Sequence, residues 1–559
     1  MRLIRFFKSY PLFASIGAIV LATATVLRFA GLSYGLPLSL LGDEFVHVAT
    51  AFSFFNNHTL VASESFSYVP SLLAVLLAPF FAFYGLLGMG LGWFAGLDGF
   101  KEFVLLNTTW FLIGPRILSA FFGLAALPIL FMLVRRIANQ EAAYISVLFA
   151  SLDFWLIHES QHGHLWMPMV TLILAAVYAL VRISETRERR WYIVSSLAIV
   201  LGFWNGFIPI VLSPFLLVAH YFAPSRRFSN LLYSSGILGV LVLLVLYINP
   251  VSFLRQFGFA VNYFLEAYGF PALTFLLHND KVAISMASKA EQLFTILFFD
   301  NPVIFVLGIV GLLVFFYRSR FYKALFGVGG VLLYALLFFF MFPAPDARMV
   351  LPFIPMLIFG ASYLCALLLS YGSRKKIISG MGIVLLAAGL LWSSETSVSY
   401  ARLLQSPDTR LTAREWIVEN VPPHSSILFA SKYLDVPRDE QAMRFLADAM
   451  PSSLRSVDRY LIEHADRIPT QSYFVLTDGE ALGLTPQKTP ADFDYFVRSY
   501  YVPSSAMRVP EHFKLVQSFY PRSSVKELYD LLQNPVIPLE SISEVYNLGP
   551  YVEVYLQEK

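Results

Sequence analysis

The sequence predicts a polytopic α-helical membrane protein of about eleven spans that ends in a small extracytoplasmic α/β domain. Of its 559 residues, 57% are hydrophobic and only 14% are charged, whereas about a quarter of the residues in soluble domains are charged. Apolar runs of membrane-spanning length recur as far as residue 395. From about residue 396 charges become common and the apolar runs shorten. The predicted boundary therefore separates a membrane part, 1–395, from an outer domain, 396–559.

Composition and motifs exclude several classes of protein. The net charge of +3 is too small to indicate a nucleic-acid partner. The single cysteine, Cys365, excludes a disulfide framework and a cysteine-based metal site. The sequence has no Gly-x-x-x-x-Gly-Lys loop and no Rossmann-type glycine fingerprint, which argues against an ATP-driven pump or a soluble-type nucleotide-sugar enzyme.

The predicted spans follow from length, because a helix needs about 20 apolar residues to cross a bilayer. The first apolar run is long and has no small-residue cleavage site, so we interpret it as an uncleaved span and not as a signal peptide. The stretch 191–222 counts as two passes because both of its flanks are basic. The candidate spans are roughly 10–32, 113–134, 142–158, 165–183, 191–204, 206–222, 231–250, 301–317, 323–342, 349–371 and 377–395.

Positive charge predicts the orientation, because cytoplasmic loops of membrane proteins are enriched in Lys and Arg. With all six basic clusters inside, the N-terminus is cytoplasmic and the domain after residue 396 is outside. We also predict that the protein lies in the plasma (inner) membrane. The loops 33–69, 158–164, 251–300 and 343–348 are then also outside. The clusters are Arg2/Arg5/Lys8, Arg135/Arg136, Arg187/Arg189/Arg190, Arg226/Arg227, Arg318/Arg320/Lys323 and Arg374/Lys375/Lys376.

The apolar stretch 70–97 must begin and end outside under this orientation. We therefore predict an interfacial or re-entrant hairpin, with a tight reversal in its glycine-rich middle at Gly85, Gly88, Gly90 and Gly92. A pair of short spans is the alternative with the same sidedness.

Helical and strand patterns alternate in the outer domain, which predicts one small α/β domain. The predicted helices are Thr409–Asn420, with Leu411, Trp416 and Ile417 on its apolar face, and segments near 438–449 and 452–464. The predicted strands are 425–430, 472–476, 513–519 and 551–556.

Unusual polar residues collect near the predicted outer face of the membrane. Adjacent carboxylates at a membrane surface are costly unless they serve a function or lie in a solvated loop. We therefore predict an active site at this depth, although sequence does not show which residues are neighbours. The candidates are Asp43, Glu44, His47, Lys101, Arg116, His158, Glu159, His162, His164, Asp346 and Arg348.

These residue types suit group transfer from a lipid phosphate. A carboxylate can act as general base toward an acceptor hydroxyl or amine. Arginines can hold a phosphate through paired, charge-assisted hydrogen bonds and remain charged at any working pH.

Four motifs in order resemble a known family of membrane enzymes. They are Asp43–Glu44 in the first outer loop, Tyr68-Val-Pro70-Ser before the apolar hairpin, Gly-Pro-Arg116-Ile opening a span, and Arg348-Met-Val-Leu-Pro352 late in the membrane part. Together they resemble the GT-C superfamily of glycosyltransferases, in the branch of protein O-mannosyltransferases and bacterial aminoarabinose (lipid A) transferases. The resemblance covers about residues 1–395.

The resemblance implies transfer of a sugar from a polyprenyl-phosphate carrier to a protein, lipid or glycan acceptor outside the cytoplasm, with inversion at the anomeric carbon. Asp43 inherits the role of catalytic base, with Glu44 assisting. Arg116 and Arg348 inherit contact with the donor phosphate. The residues left for acceptor binding or support are His47, Lys101, Glu159, His162, His164 and Asp346.

One departure from the family lies in the third outer loop. Many relatives have an Asp shortly before a Pro there, whereas this chain has Gln161-His162-Gly163-His164 and no Asp. Glu159 or the two histidines are the candidate substitutes. Some relatives bind a divalent metal ion, and the His162/His164 pair is the candidate ligand set without a clear third ligand. Metal dependence stays open, and no other cofactor is implied.

Two other functions remain open. A transporter or flippase for lipid-linked saccharides would require charges near the middle of the membrane and inverted repeats. A non-catalytic membrane scaffold would work equally well with Asp43 replaced.

Overall fold

The structure is a computed structural model of the full chain. It describes residues 11–40, 42–60, 72–186, 188–206, 208–224, 227–248, 265, 285–341, 347–370, 376–431, 433–483, 492–501, 506–522 and 539–558.

The chain forms two compact units that are not consecutive in sequence. The first comprises Met1–Leu32, Asp43–Phe81 and Ile113–Val398, and the second comprises Ser33–Gly42, Ala82–Leu112 and Ser399–Lys559. The domain predicted to begin near residue 396 therefore corresponds to the last segment of the second unit and does not include the two earlier segments, Ser33–Gly42 and Ala82–Leu112. Contacts within that unit explain their membership, because Tyr34 Oη donates to Asp408 Oδ2 at 2.6 Å and Arg467 Nε lies 3.1 Å from Glu102 Oε1.

The first unit is helical. Three of its helices also have residues in the second unit, namely Gly42–Asn56, Leu72–Gly90 and Lys376–Leu403. The other helices are Pro11–Phe29, Ile113–Ile137, Gln140–Leu152, Phe154–Gln161, Trp166–Glu185, Arg190–Asn205, Ser213–Phe222, Phe228–Ile248, Met286–Asp300, Pro302–Arg318, Phe321–Ala324, Gly330–Met341 and Ile354–Ser370. There are 3₁₀ turns at Ile208–Leu212 and Ala347–Phe353 and a π-helical turn at Leu325–Gly329.

The predicted fold class, a helical membrane protein with a C-terminal α/β domain, is confirmed. Each of the eleven predicted spans coincides with a helical segment. Among the described residues, six helices are long and apolar enough to cross a membrane, or eight if each of two sharply bent pairs is one span. The total of eleven stays a prediction.

The backbones of the helices Pro302–Arg318 and Ile354–Ser370 approach each other closely. A Cβ atom at Gly311 would lie 1.9 Å from the Gly360 carbonyl oxygen, and one at Gly308 would lie 2.8 Å from the Leu357 oxygen. Small residues are typical of helix contacts in membranes, where packing and not water exclusion drives association.

A bend of 54° between Gln140–Leu152 and Phe154–Gln161 redirects the chain toward the candidate site. Asp153 stands at the bend and caps the second helix by accepting from the Leu156 N–H at 3.0 Å. The buried Arg28 guanidinium satisfies carbonyls at the end of the first helix, donating to Ala150 at 2.9 Å and to Ser151 at 3.2 Å. Hydrogen bonds therefore stabilise the helix end before the bend and the helix start after it. The short helix after the bend carries His158 and Glu159.

The predicted reversal within 70–97 lies later in the chain than expected. Gly85 and Gly88 are inside the continuous helix Leu72–Gly90, where added Cβ atoms would come within 2.8 Å of Phe100 and 2.2 Å of Phe94. The chain turns afterwards, around Gly92 and Gly96, which have φ of +73° and +74°. The glycines thus allow aromatic rings to pack against a helix, and only the later two form the turn. The interfacial or re-entrant placement of this hairpin stays a prediction.

The second unit combines short helices with a sheet. The helices are Gly96–Leu106, Thr409–Asn420, Glu440–Ala449, Ser456–Glu463 and Asp478–Gly483, with 3₁₀ turns at Thr108–Leu112, Pro451–Ser453, Ala465–Arg467 and Leu539–Glu544. The strands are β1 (Ser426–Ala430), β2 (Phe474–Thr477), β3 (Tyr495–Tyr500), β4 (Phe513–Phe519) and β5 (Tyr551–Gln557).

The sheet has the order β2-β1-β3-β5-β4. β1 is parallel to β2 and β3, whereas β5 is antiparallel to β3 and β4. The helix Thr409–Asn420 has the predicted bounds, and strands occur at all four predicted places. β3, in the middle of the sheet, was not predicted. The hydrophobic core beside the sheet includes the buried side chains of Leu428, Leu446, Leu476 and Phe496.

Acid should weaken the second unit through Asp408. Its carboxylate is buried and accepts from Arg410 Nε at 2.8 Å and from Tyr34. Burial raises the pKa of Asp408, but the charge of Arg410 and these hydrogen bonds outweigh it and hold the pKa below its ordinary value of 3.8. A depressed pKa gives stability that is complete above the ordinary value and is lost as the pH falls below it.

We therefore expect the thermal midpoint of the full chain to fall as the pH is lowered from 5 to 3, and to fall less steeply in Asp408→Asn. Differential scanning fluorimetry in detergent measures both slopes. Equal slopes in wild type and variant would remove Asp408 as the source of the acid sensitivity.

Candidate active site

A buried ion pair connects the first outer segment to the helix Ile113–Ile137. Arg116 Nη2 lies 2.8 Å from Glu44 Oε2, and Arg116 Nε donates to the same carboxylate at 3.0 Å. Arg116 Nη1 donates to the Leu32 carbonyl at 2.7 Å. Both charged side chains are almost fully buried. Every nitrogen of this guanidinium is therefore engaged within the protein.

The loop after Gln161 completes the coordination of Glu44. The Gly163 N–H donates to Glu44 Oε1 at 2.6 Å. A side chain at position 163 would meet Pro115 at 2.7 Å, so the loop approaches this closely because residue 163 is glycine. Glu44 itself lies in the first turn of its helix, where the helix dipole favours a negative charge.

Asp43 is the accessible carboxylate of the pair Asp43–Glu44. Its side chain is 59% exposed, and Arg348 Nη1 lies 3.4 Å from Asp43 Oδ2. The same nitrogen of Arg348 is 3.1 Å from His164 Nδ1, which requires that ring nitrogen to accept. Arg348, whose side chain is 18% exposed, thus connects the half-exposed acid to the loop that contacts Glu44.

Three histidines and a glutamate form a buried cluster beside this arrangement. His158 Nδ1 lies 3.2 Å from Glu159 Oε1, and the rings of His158 and His162 are 4.1 Å apart at 86°. His164 Nδ1 lies 3.9 Å from Glu159 Oε2. All four side chains are buried.

His47 is buried on the helix Gly42–Asn56, one turn after Asp43. Burial lowers the pKa of His47 from 6.5 to about 4, although the nearby Asp43 carboxylate opposes this shift. His47 is therefore a neutral imidazole at neutral pH and does not act as a cation at the site.

The structure brings together most of the predicted site residues. Two of the candidates are not among them. Lys101 belongs to the second unit, where it is exposed and lies 3.5 Å from Asp98. Asp346 lies outside the described residues. The residues that share one region of the first unit are Asp43, Glu44, His47, Arg116, His158, Glu159, His162, His164 and Arg348.

Two contributors were missed by sequence reasoning. One is the Gly163 backbone N–H, for which no sequence signal exists, because every residue except proline carries that donor. The other is the pairing of His158 with His162. The run His158-Glu-Ser-Gln-His162 has the His-Glu-x-x-His spacing that places two imidazoles on one helix face. Sequence reasoning paired His162 with His164 instead.

A family comparison covers part of the chain. Residues 112–253 match the family described as dolichyl-phosphate-mannose-protein mannosyltransferase. Over these residues the match confirms the predicted resemblance to protein O-mannosyltransferases. The matched segment includes Arg116 and the buried histidine cluster. No curated protein matches the chain.

Several solved structures match the overall chain in structure, but their sequence identity to it is low. The oligosaccharyltransferase of Archaeoglobus fulgidus in its apo form is 12% identical, with a TM-score of 0.48, and the match covers 74% of this chain and 59% of that one. ArnT of Cupriavidus metallidurans in the apo state is 12% identical, with a TM-score of 0.46 and coverage of 75% and 82%. ArnT bound to undecaprenyl phosphate is 13% identical, with a TM-score of 0.47 and coverage of 87% and 93%.

Proposed function

We propose that the protein is an integral membrane glycosyltransferase that moves a sugar from a polyprenyl-phosphate carrier to an acceptor outside the cytoplasm. The observation that carries this proposal is the pairing of a half-exposed carboxylate, Asp43, with Arg348 at 3.4 Å, beside a buried Glu44–Arg116 pair. An acid and a cation side by side suit a reaction in which a proton is taken up as an anion departs. The family match over 112–253 supports the same reaction class.

In the proposed reaction Asp43 takes the proton from an acceptor hydroxyl or amine. The acceptor atom forms a bond to the anomeric carbon of the sugar while the bond from that carbon to the phosphate oxygen breaks. The polyprenyl phosphate leaves with the bonding electrons, and Arg348 holds its negative charge. Attack opposite to the leaving group inverts the configuration at the anomeric carbon.

The buried pair has a positioning role in this proposal. The predicted donor contact from Arg116 is not favoured, because all three of its nitrogens already bind Glu44 or the Leu32 carbonyl. Glu44 in turn binds the Gly163 N–H. The pair therefore fixes the helix start that carries Asp43 against the loop that carries His164.

An apolar groove in the first unit supplies a place for a lipid tail. It has a volume of about 300 Å³. Phe353, one of the lining residues, belongs to the same 3₁₀ segment as Arg348, so an apolar surface and a phosphate-binding cation share one element. The lining also includes Leu293, Phe294, Phe305, Phe339 and Met356.

The orientation belongs to the proposal as well. A cytoplasmic N-terminus and an extracytoplasmic C-terminal domain are inferred from the distribution of Lys and Arg, and a plasma (inner) membrane location is proposed together with them. Labelling of single cysteines introduced into a Cys365→Ser background, with a membrane-impermeant maleimide on intact cells, tests it. Labelling at Lys514→Cys and at no site near Arg136 supports the orientation, and the reverse pattern contradicts it.

The direct test of the reaction uses purified protein in liposomes with a panel of radiolabelled polyprenyl-phosphate monosaccharides and a membrane extract as acceptor. We expect transfer of label from at least one donor to the extract, with release of polyprenyl phosphate. Movement of a donor across the bilayer without transfer would favour the transporter. Neither transfer nor movement, from protein that is monodisperse and folded, would favour the scaffold.

Replacement of Arg348 should weaken use of the donor. A hydrogen bond to a charged group contributes about 1.5–3 kcal/mol, which is roughly a tenfold to hundredfold effect. We expect Arg348→Gln to lower kcat/KM for the donor by that factor, and Arg348→Lys to recover part of it because a single ammonium keeps the charge but not the paired geometry. Steady-state transfer at varied donor concentration measures this. Unchanged kcat/KM in Arg348→Gln would remove Arg348 from donor binding.

A further inference from the structure

We propose that His158, Glu159 and His162 bind a divalent transition-metal ion of the zinc class, and that this ion orders the loop between Gln161 and His164. The set differs from the predicted His162/His164 pair and does not include Asp43. Zinc is bound in proteins by imidazole and carboxylate groups, and two histidines with one glutamate are an established donor combination.

The geometry of the three side chains carries this proposal. One ligand atom from each lies within 4.8 Å of the ligand atoms of the other two. Ligand atoms about 2.1 Å from a common ion in tetrahedral geometry are about 3.4 Å apart, so binding would draw these atoms together by up to about 1.4 Å. His158 and His162 are four residues apart and therefore lie on one face of the chain at the end of the helix Phe154–Gln161.

Unsatisfied atoms at the cluster give a second, independent observation. Glu159 Oε2 is buried and accepts no hydrogen bond from the described residues, and the neutral His164 Nδ1 is 3.9 Å away from it, beyond hydrogen-bond distance. A buried carboxylate oxygen without a donor is costly. A bound cation would satisfy that oxygen and would neutralise the carboxylate charge.

The local charge balance allows a cation here. The two nearby guanidinium groups each face a carboxylate, Arg116 facing Glu44 at 2.8 Å and Arg348 facing Asp43 at 3.4 Å. Glu159 is the remaining acid of the cluster, and the histidines bind a metal ion in their neutral form. Binding therefore needs no further residue to be ionised.

The ion would act on the site through the backbone. The loop that starts after Gln161 donates the Gly163 N–H to Glu44 and places His164 against Arg348. An ion held by His162 on that loop and by His158 on the helix would restrain both contacts. His158, Glu159 and His162 are therefore positioning residues, and none of them needs to touch the substrate.

Metal content of the full-length protein tests the inference without an activity assay. The protein is purified in detergent without chelators, incubated with a small excess of Zn²⁺, desalted, and analysed by inductively coupled plasma mass spectrometry. We expect one zinc per chain in wild type, less than a tenth of that in His158→Asn and His162→Asn, and at least tenfold weaker binding in Glu159→Gln. His220→Asn is the matched control, because His220 is a histidine of the same unit bonded to Tyr192 at 2.7 Å, and it should keep the ion.

Protein stability gives a second readout. Zn²⁺ should raise the thermal midpoint of wild type and His220→Asn, and a strong chelator should reverse the rise, because a ligand that binds only the folded state stabilises it. The nearly isosteric Glu159→Gln and the wild-type titration carry the test if a histidine variant does not fold. Wild type with less than a tenth of an equivalent of zinc, or His158→Asn and His162→Asn with zinc equal to wild type, would overturn the proposal.

Discussion

Asp43→Asn should abolish most of the transfer activity and leave the fold intact. A positioned general base contributes about 10²–10⁴-fold to a reaction rate, and an amide cannot take up the acceptor proton. The side chain of Asp43 is 59% exposed and its ion pair with Arg348 is long at 3.4 Å. Exposed pairs of this kind contribute about 0–1 kcal/mol, so the substitution should not unfold the protein. We therefore expect kcat to fall by about 10²–10⁴-fold with an unchanged thermal midpoint.

The assay is the transfer reaction in liposomes, run at saturating donor. Asp98→Asn is the matched control, because the side chain of Asp98 is 96% exposed and its partner is the exposed Lys101. That variant should transfer at the wild-type rate. Equal rates in Asp43→Asn and wild type would show that another group is the base, or that the protein is not the proposed enzyme.

Arg116→Met should cause the largest loss of stability among single substitutions at the site. It removes the partner of Glu44 and leaves a buried carboxylate whose remaining donor within 3 Å, among the residues that the structure describes, is the Gly163 N–H. Breaking a buried ion pair in this way costs about 3–5 kcal/mol. We expect a lower yield of folded protein and a free energy of unfolding reduced by about that amount, measured by denaturant titration in detergent.

A double-mutant cycle distinguishes the ion pair from simple packing. Glu44→Leu combined with Arg116→Met removes both charges, so the double variant should be destabilised by less than the sum of the two single variants. Arg136→Met is the matched control. Its partner Glu185 is 3.9 Å away and the Arg136 side chain is 49% exposed, so its loss should cost less than about 1 kcal/mol. Additive single effects at Glu44 and Arg116 would contradict the ion-pair account.

The two substitutions distinguish a residue needed for the reaction from a residue needed for the stability of the fold. Asp43→Asn is expected to lose rate without losing stability, whereas Arg116→Met is expected to lose stability first and activity as a consequence. Adjacent carboxylates in one sequence motif thus have different tasks, because Asp43 reaches solvent and Glu44 is buried against Arg116. Their order in the sequence does not reveal which of them is buried.

Local patterns were sufficient to predict much of this protein. Apolar runs of membrane length marked helical segments at all eleven predicted places, and the amphipathic pattern of Thr409–Asn420 gave a helix with those bounds. Such predictions succeed because hydrophobicity and periodicity act over a single element. β3 was not predicted although Tyr495–Tyr500 is rich in strand-forming residues, and its place in the middle of the sheet depends on its neighbours.

The meeting of distant residues was decided by the tertiary structure alone. Sequence indicated that Glu44, Arg116 and Arg348 lie at a similar depth in the membrane, but lateral distance depends on how the helices pack. Arg116 binds a carboxylate 72 residues earlier in the chain, and the Gly163 N–H reaches the same carboxylate across 119 residues. The second unit likewise takes in Ser33–Gly42 and Ala82–Leu112, because bonds such as Tyr34 to Asp408 outweigh closeness in sequence. Composition and periodicity specify elements one at a time, whereas an active site is a set of distances between elements.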